Sequence, residues 1–150
     1  EGEDVLQRRH LRLQFGGATG SRAGLDGRGA ALAERLAQRL GLANALPWHA
    51  ERQGLAGLAS ALAILTGAVG KIAGDVARMA QVEVGEAFEP RQTGRGGSSA
   101  MAHKRNPTGC QVALSAAIRA PHLAATIVSA LPQQHERGLG GWQAVEQLAV

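Results

Sequence analysis

Residues 55–79 read LAGLASALAILTGAVGKIAGDVARM. Leu55, Leu58, Leu62, Leu65, Val69, Ile72, Val76 and Met79 recur at alternating intervals of three and four, the spacing of a heptad seam along one face of an α-helix. Carried out to residues 50–82, the pattern predicts a helix on the order of 45 to 50 Å long at about 1.5 Å per residue, too long for a compact monomer of 150 residues. The apolar stripe therefore requires neighbours in a bundle. Charges beside it are sparse, which disfavours a simple two-stranded coiled coil. Gly54, Gly57, Gly67, Gly70 and Gly74 each weaken the helix by about 1 kcal/mol relative to Ala, so they are expected where another helix comes close.

The composition agrees with an all-α fold. Hydrophobic residues make up 45% of the chain but aromatic ones only 3%, with no Tyr, and Ala, Leu and Gly suit packed helices better than sheets. The net charge is +4, and every basic residue except Lys71 and Lys104 is an Arg scattered among the acids. Without a basic stripe or aromatic stacking platforms, no nucleic-acid partner is expected, whereas a small anionic ligand fits the charge. A single cysteine, Cys110, excludes an internal disulfide. A cytoplasmic chain with no membrane role is expected.

Working outward from the seam, residues 3–14 resemble the end of a helix and FGGATGS (15–21) a tight turn. Asp26 is a candidate N-cap for a short amphipathic helix with Leu32, Leu36 and Leu40 on one face, ending near Gly41. Pro47 breaks the chain before the long helix. Helical character resumes over 108–131, with a kink expected at Pro121 and a stop at Pro132, and the Gly-rich tail suits a functional turn before a last helix. Because the chain opens on Glu1 and ends inside an amphipathic pattern, residues 1–150 are read as one segment of a larger helical domain, earlier and later parts of the subunit being absent.

Between the two long helices, residues 85–107 form a polar connection longer than most, the kind that serves as a lid or a linker. Its end, GRGGSSAMAHKRNP (94–107), sets cations and an Asn before a helix opening at Pro107, whose first N–H groups are free for an anion.

Within that end, GSSAMAHKRNP (97–107) resembles the signature loop of the fumarase/aspartase superfamily, G-S-S-x-M-P-x-K-x-N-P, departing only at Ala102 where the pattern has Pro. Residues 70–90, GKIAGDVARMAQVEVGEAFEP, are similar to the approach to that loop in the branch holding adenylosuccinate lyase and the lactone-forming cycloisomerases. LQFGGATGS (13–21), LPWHAER (46–52), NPTGCQVAL (106–114) and PQQHERGLGGWQ (132–143) resemble the cycloisomerases, so the likeness runs through essentially the whole chain.

The resemblance implies a long-helix bundle that assembles as a homotetramer, each active site shared among subunits, acting on a small polycarboxylate without metal or cofactor. It implies Ser98 as the catalytic acid/base, with Lys104 and Asn106 binding substrate and Ser99 beside them. Ser21 matches a hydroxyl position that touches substrate. His103, like Arg105, flanks Lys104 and stays open between a carboxylate ligand and a solvated charge; Arg137, with His135 and Glu136, stays open between bordering the site and a structural ion pair. Isolated His10, His49 and His122 read as surface or satisfied core residues, Cys110 as a packed hydrophobe, and Trp48 and Trp142 as packing groups. The implied chemistry is acid/base addition–elimination that closes and opens a lactone. An adenylosuccinate lyase-like reaction and a truncated, non-catalytic assembly module are the alternatives.

Overall fold

The computed structural model describes residues 11–90, 94–101, 104–135 and 138–146. Its regular elements there are helices: α1 (Gly29–Leu40), α2 (Gln53–Met79), α3 (Thr108–Ser129) and α4 (Gly141–Glu146). The one strand-like feature among these residues is an isolated parallel bridge between Arg12 and Ala43. The all-α expectation holds. The chain divides into two compact units, one of Glu1–Ser60 with Leu123–Val150 and one of Ala61–His122.

In the first unit the core is small. Leu13, Ala33 and Ala37 are buried, with Phe15, Leu36 and Leu42 packed against them. The buried face of α1 is therefore Gly29, Ala33 and Ala37, and the predicted leucine stripe is corrected: Leu32 and Leu40 are exposed, and only Leu36 borders the core. Small side chains at every fourth position let the helix lie close to the backbone of the 11–15 segment. That segment is extended, so the helix end read over 3–14 is also corrected for residues 11–14, while residues 3–10 lie outside the described ones. Leu13 N–H donates to the Ala43 carbonyl (2.9 Å) and Ala43 N–H to that of Leu11 (3.0 Å). Trp48 closes the layer, donating from Nε1 to the Leu13 carbonyl at 3.1 Å with the Arg12 guanidinium 5.5 Å over its ring.

Asp26 does not cap α1. Arg28 occupies that position without a side-chain hydrogen bond, and Asp26 sits at φ 47° in the preceding turn. The other end follows the sequence: Gly41 takes φ 64°, and Leu42 N–H reaches the Ala37 carbonyl at 3.0 Å, a Schellman stop.

In the second unit, α2 and α3 meet where small residues permit it. A Cβ on Gly70 would collide with that of Ala117, and one on Gly74 would touch Leu114 at 3.8 Å. Gly67 faces open space, so its expected close approach is not made here. At 27 residues α2 is about 40 Å long, shorter than the predicted span. The middle of its seam is uncovered: Leu62 is 52% exposed and Ile72 63%. Both long helices have the length and hydropathy of membrane-crossing segments, by length and composition alone. The heptad stripe of α2 and its Gly70 and Gly74 contacts to α3 are also the pattern of a helix packed on other helices. α3 continues helically through Pro121 to Ser129.

Candidate active site

The serine loop hangs between two fixed points. Gly94 (φ 80°) and Gly96 (φ 73°) take left-handed backbone that other residues rarely adopt. Asn106 N–H donates to the Gly96 carbonyl at 2.8 Å, closing the loop across its base, and a Cβ on Gly96 would stand 2.7 Å from the Asn106 oxygen. Only glycine fits there. Inside the closure, Lys104 N–H donates to the Met101 carbonyl at 3.1 Å, folding the tip back.

At the start of the loop, Ser98 Oγ accepts hydrogen bonds from the backbone N–H groups of Ala100 (3.3 Å) and Met101 (3.2 Å). Two N–H dipoles aimed at one oxygen stabilise negative charge on it, the requirement for a hydroxyl that must act as a base. Ser98 is half-buried and Ser99 exposed.

Beside the loop lies a cleft of about 530 Å³, lined by Phe88, Glu89, Arg95, Lys104, Arg105 and Asn106 among others. Arg105 lies over the Phe88 ring at 5.4 Å, a cation–π contact that holds its guanidinium at the cleft wall. The helix N-terminus beyond it is not free, contrary to expectation. α3 begins at Thr108, one residue after the predicted start, and Glu89 takes its first donors: Gly109 N–H to Oε2 at 3.0 Å and Cys110 N–H to Oε1 at 2.7 Å.

The Cys110 thiol and its N–H, then the Gly109 N–H, hold the Glu89 carboxyl below its ordinary value. Burial chiefly, and the Glu89 carboxylate next, push the thiol up, and Cys110 is a buried packed group, as expected.

Of the predicted site residues, Ser98, Ser99, Lys104 and Asn106 belong to this loop, with Lys104 and Asn106 on the cleft. Ser21 is exposed in the first unit, on a separate cleft lined also by Arg22, Leu46 and Pro47. His103 and Arg137, with Glu136, lie outside the described residues, as does His10. Sequence reasoning missed Phe88, Glu89 and Arg95. The one local signal was an acid directly before Pro90 at the mouth of a glycine-rich loop. Among the described residues no cluster of His, Cys, Asp or Glu is arranged to hold a metal ion.

A family profile described as lyase matches residues 3–121. The chain is 56% identical over 140 residues to a 3-carboxy-cis,cis-muconate cycloisomerase of Bradyrhizobium diazoefficiens, spanning 93% of this chain and 31% of that protein. It is 49% identical to the protein of the same name from Pseudomonas aeruginosa, over 93% of this chain and 30% of that one. The crystal structure of 3-carboxy-cis,cis-muconate lactonizing enzyme from Pseudomonas putida superposes with a TM-score of 0.77 at 46% identity, covering 96% of this chain and 32% of that one. The chain thus spans about a third of the length of the curated relatives it matches. Profile, identity and fold agree with the serine loop, and the chain belongs to the lyase family of the fumarase/aspartase superfamily.

Proposed function

We propose that the protein carrying this segment interconverts 3-carboxy-cis,cis-muconate and 4-carboxymuconolactone, in the protocatechuate branch of the β-ketoadipate pathway. The observation that carries the reading is the Ser98 oxygen, held by two backbone N–H groups at the start of a loop whose later residues put Lys104 and Arg105 on a cleft. Identity of 56% to a protein of that activity supports the substrate. In lactone opening, Ser98 as alkoxide takes the proton α to a carboxylate, giving an aci-carboxylate whose two charges need nearby cations. Expulsion of the ring oxygen as a carboxylate then forms the double bond. Lactone closure runs the steps backwards, and Ser98 returns the proton to carbon.

Lys104 and Asn106 bind the substrate's carboxylates in this scheme, and Ser99, His103, Ser21 and Arg137 complete its surroundings. The exposed stripe of α2 supports a homotetramer with shared sites, since an apolar face of this extent is unstable in water. Sedimentation of the full-length protein as a monomer would remove the assembly. We place the protein in the cytoplasm, without metal or cofactor, nucleic acid or membrane.

The test is loss of 3-carboxy-cis,cis-muconate absorbance in the full-length protein, without added metal or nucleotide and with chelator present. Turnover of adenylosuccinate in its place would overturn the reading.

A further inference from the structure

Glu89 is an acid lining a cleft otherwise rich in cations, yet among the described residues no ion pair joins it to Arg95, Lys104 or Arg105. Its two oxygens are spent on the first N–H groups of α3, at Gly109 and Cys110. Three residues before Gly109 stands Asn106, whose N–H closes the serine loop on Gly96. One residue before Glu89, Phe88 carries Arg105 on its ring. The segment 105–110 is thus gripped at both ends by the dipeptide 88–89, across about twenty residues of chain.

We infer that Glu89 is a positioning residue for the serine loop. By occupying the N-terminus of α3 it fixes the arm on which the loop closes. With its oxygens engaged on those N–H groups and, among the described residues, in no ion pair, it leaves Arg95, Lys104 and Arg105 available for a polycarboxylate. A carboxylate on backbone N–H groups is a charge-assisted contact of fixed geometry, and the helix dipole favours it further. An amide in its place offers one acceptor and sets an NH2 against an N–H, so one of the two bonds is lost. The consequence for turnover rests on the reading of Ser98 as proton carrier; the grip on the loop does not.

The experiment compares Glu89→Gln and Glu89→Asp with wild type in the full-length protein, by two readouts. One is the kinetics with 3-carboxy-cis,cis-muconate. The other is the rate of trypsin cutting after Arg95, Lys104 and Arg105 in the folded state. In Glu89→Gln, kcat should fall ~10- to 100-fold, the scale of a small misplacement of a reacting group, with KM changed less than ~3-fold. Loop cutting should accelerate by ~5-fold or more as local opening becomes easier. Glu89→Asp keeps the charge on a shorter stem and should recover part of both; it also carries the comparison if Glu89→Gln does not assemble.

A purely structural role predicts instead a lower melting temperature with kcat intact in the protein that remains folded. That result, or wild-type cutting together with wild-type kcat, would overturn the inference. If wild type turns over no muconate but Glu89→Gln still loosens the loop, the positioning role stands and the proposed reaction falls.

Discussion

Two glycine-rich loops in this chain are fastened by opposite charges. The 16–22 turn is held by a cation: Arg22 donates from Nε to the Phe15 carbonyl at 2.8 Å and from Nη2 to that of Ala45 at 3.2 Å, with its guanidinium 5.9 Å over the Phe15 ring. The 94–107 loop is held by an anion, Glu89, on main-chain N–H groups. Each fastener uses up its charge on backbone of the complementary sign. In the first loop a basic residue is consumed by structure. In the second the consumed residue is acidic, and the basic ones remain on the cleft wall. A loop meant to receive a polyanion is best built the second way.

The hydroxyls differ as well. Ser21 Oγ accepts one backbone N–H, from Ala23 at 3.3 Å, and shares a hydrogen bond with Thr19 Oγ1; Ser98 Oγ accepts two N–H groups. The largest predicted effect breaks the comparison there. In the full-length protein Ser98→Ala should lower turnover by roughly 10² to 10⁴, the usual range for a lost general acid–base group, with fold and assembly unchanged. Ser21→Ala and Ser99→Ala should be far milder. If Ser99→Ala abolished turnover while Ser98→Ala kept it, the assignment would be off by one position. If both stayed active, the loop would be only a linker.

The next effect separates the two cations. Arg22→Ala removes two hydrogen bonds to main-chain carbonyls and should cost about 1 to 3 kcal/mol of stability, read as a lower melting temperature. Lys104→Ala should leave stability almost unchanged and raise KM by about tenfold or more, because a cation facing substrate is lost. Equal losses of stability in the two variants would erase the distinction drawn between structural and ligand-facing charge.

What was legible in the sequence follows from the range of each contact. The serine loop could be read because its information is contiguous, from Gly97 to Pro107, and the Gly41 stop because a Schellman turn is local. The heptad of α2 predicted a helix correctly but not its uncovered middle, since a period of three and four marks a shared face without saying which stretch of it this chain covers. On α1 the leucine period pointed to the wrong face. Leucines at 32, 36 and 40 and small residues at 29, 33 and 37 share the same four-residue spacing, and close approach to the 11–15 segment selected the small ones. Asp26 failed as a cap because the helix starts at Gly29, which puts Arg28 at the cap and Asp26 two residues earlier, in a turn at φ 47°. Glu89 had only its place before Pro90 to mark it, and its role was not legible because its partners lie 20 and 21 residues ahead with nothing in the intervening spacing to announce them.

The smallest predicted effect is a pH dependence confined to one of the loops. The Glu89 carboxyl is lowered in the folded chain, first by the Cys110 thiol and then by the N–H groups of Cys110 and Gly109, relative to an ordinary value of 4.5. A carboxylate with a depressed folded value contributes stability that is fully present above the unfolded value and is lost as pH falls through the folded one. The grip on α3 should therefore hold at neutral pH and loosen only in the acid range, below 4.5. No carboxylate takes part in the Arg22 bonds to Phe15 and Ala45, so the 16–22 turn should not share that step. Hydrogen exchange across this range, corrected for intrinsic rates, distinguishes the two. Protection of the Gly109 and Cys110 amides should fall a few-fold on acidification, while the Arg22 amide, bonded to the Gly16 carbonyl at 3.0 Å, keeps its own. In Glu89→Gln the acid step at Gly109 and Cys110 should vanish, with protection low throughout at the one amide whose bond is lost. Simultaneous loss at both loops would mean acid unfolding of the whole chain, and the contrast between an anion-fastened and a cation-fastened loop would not survive it.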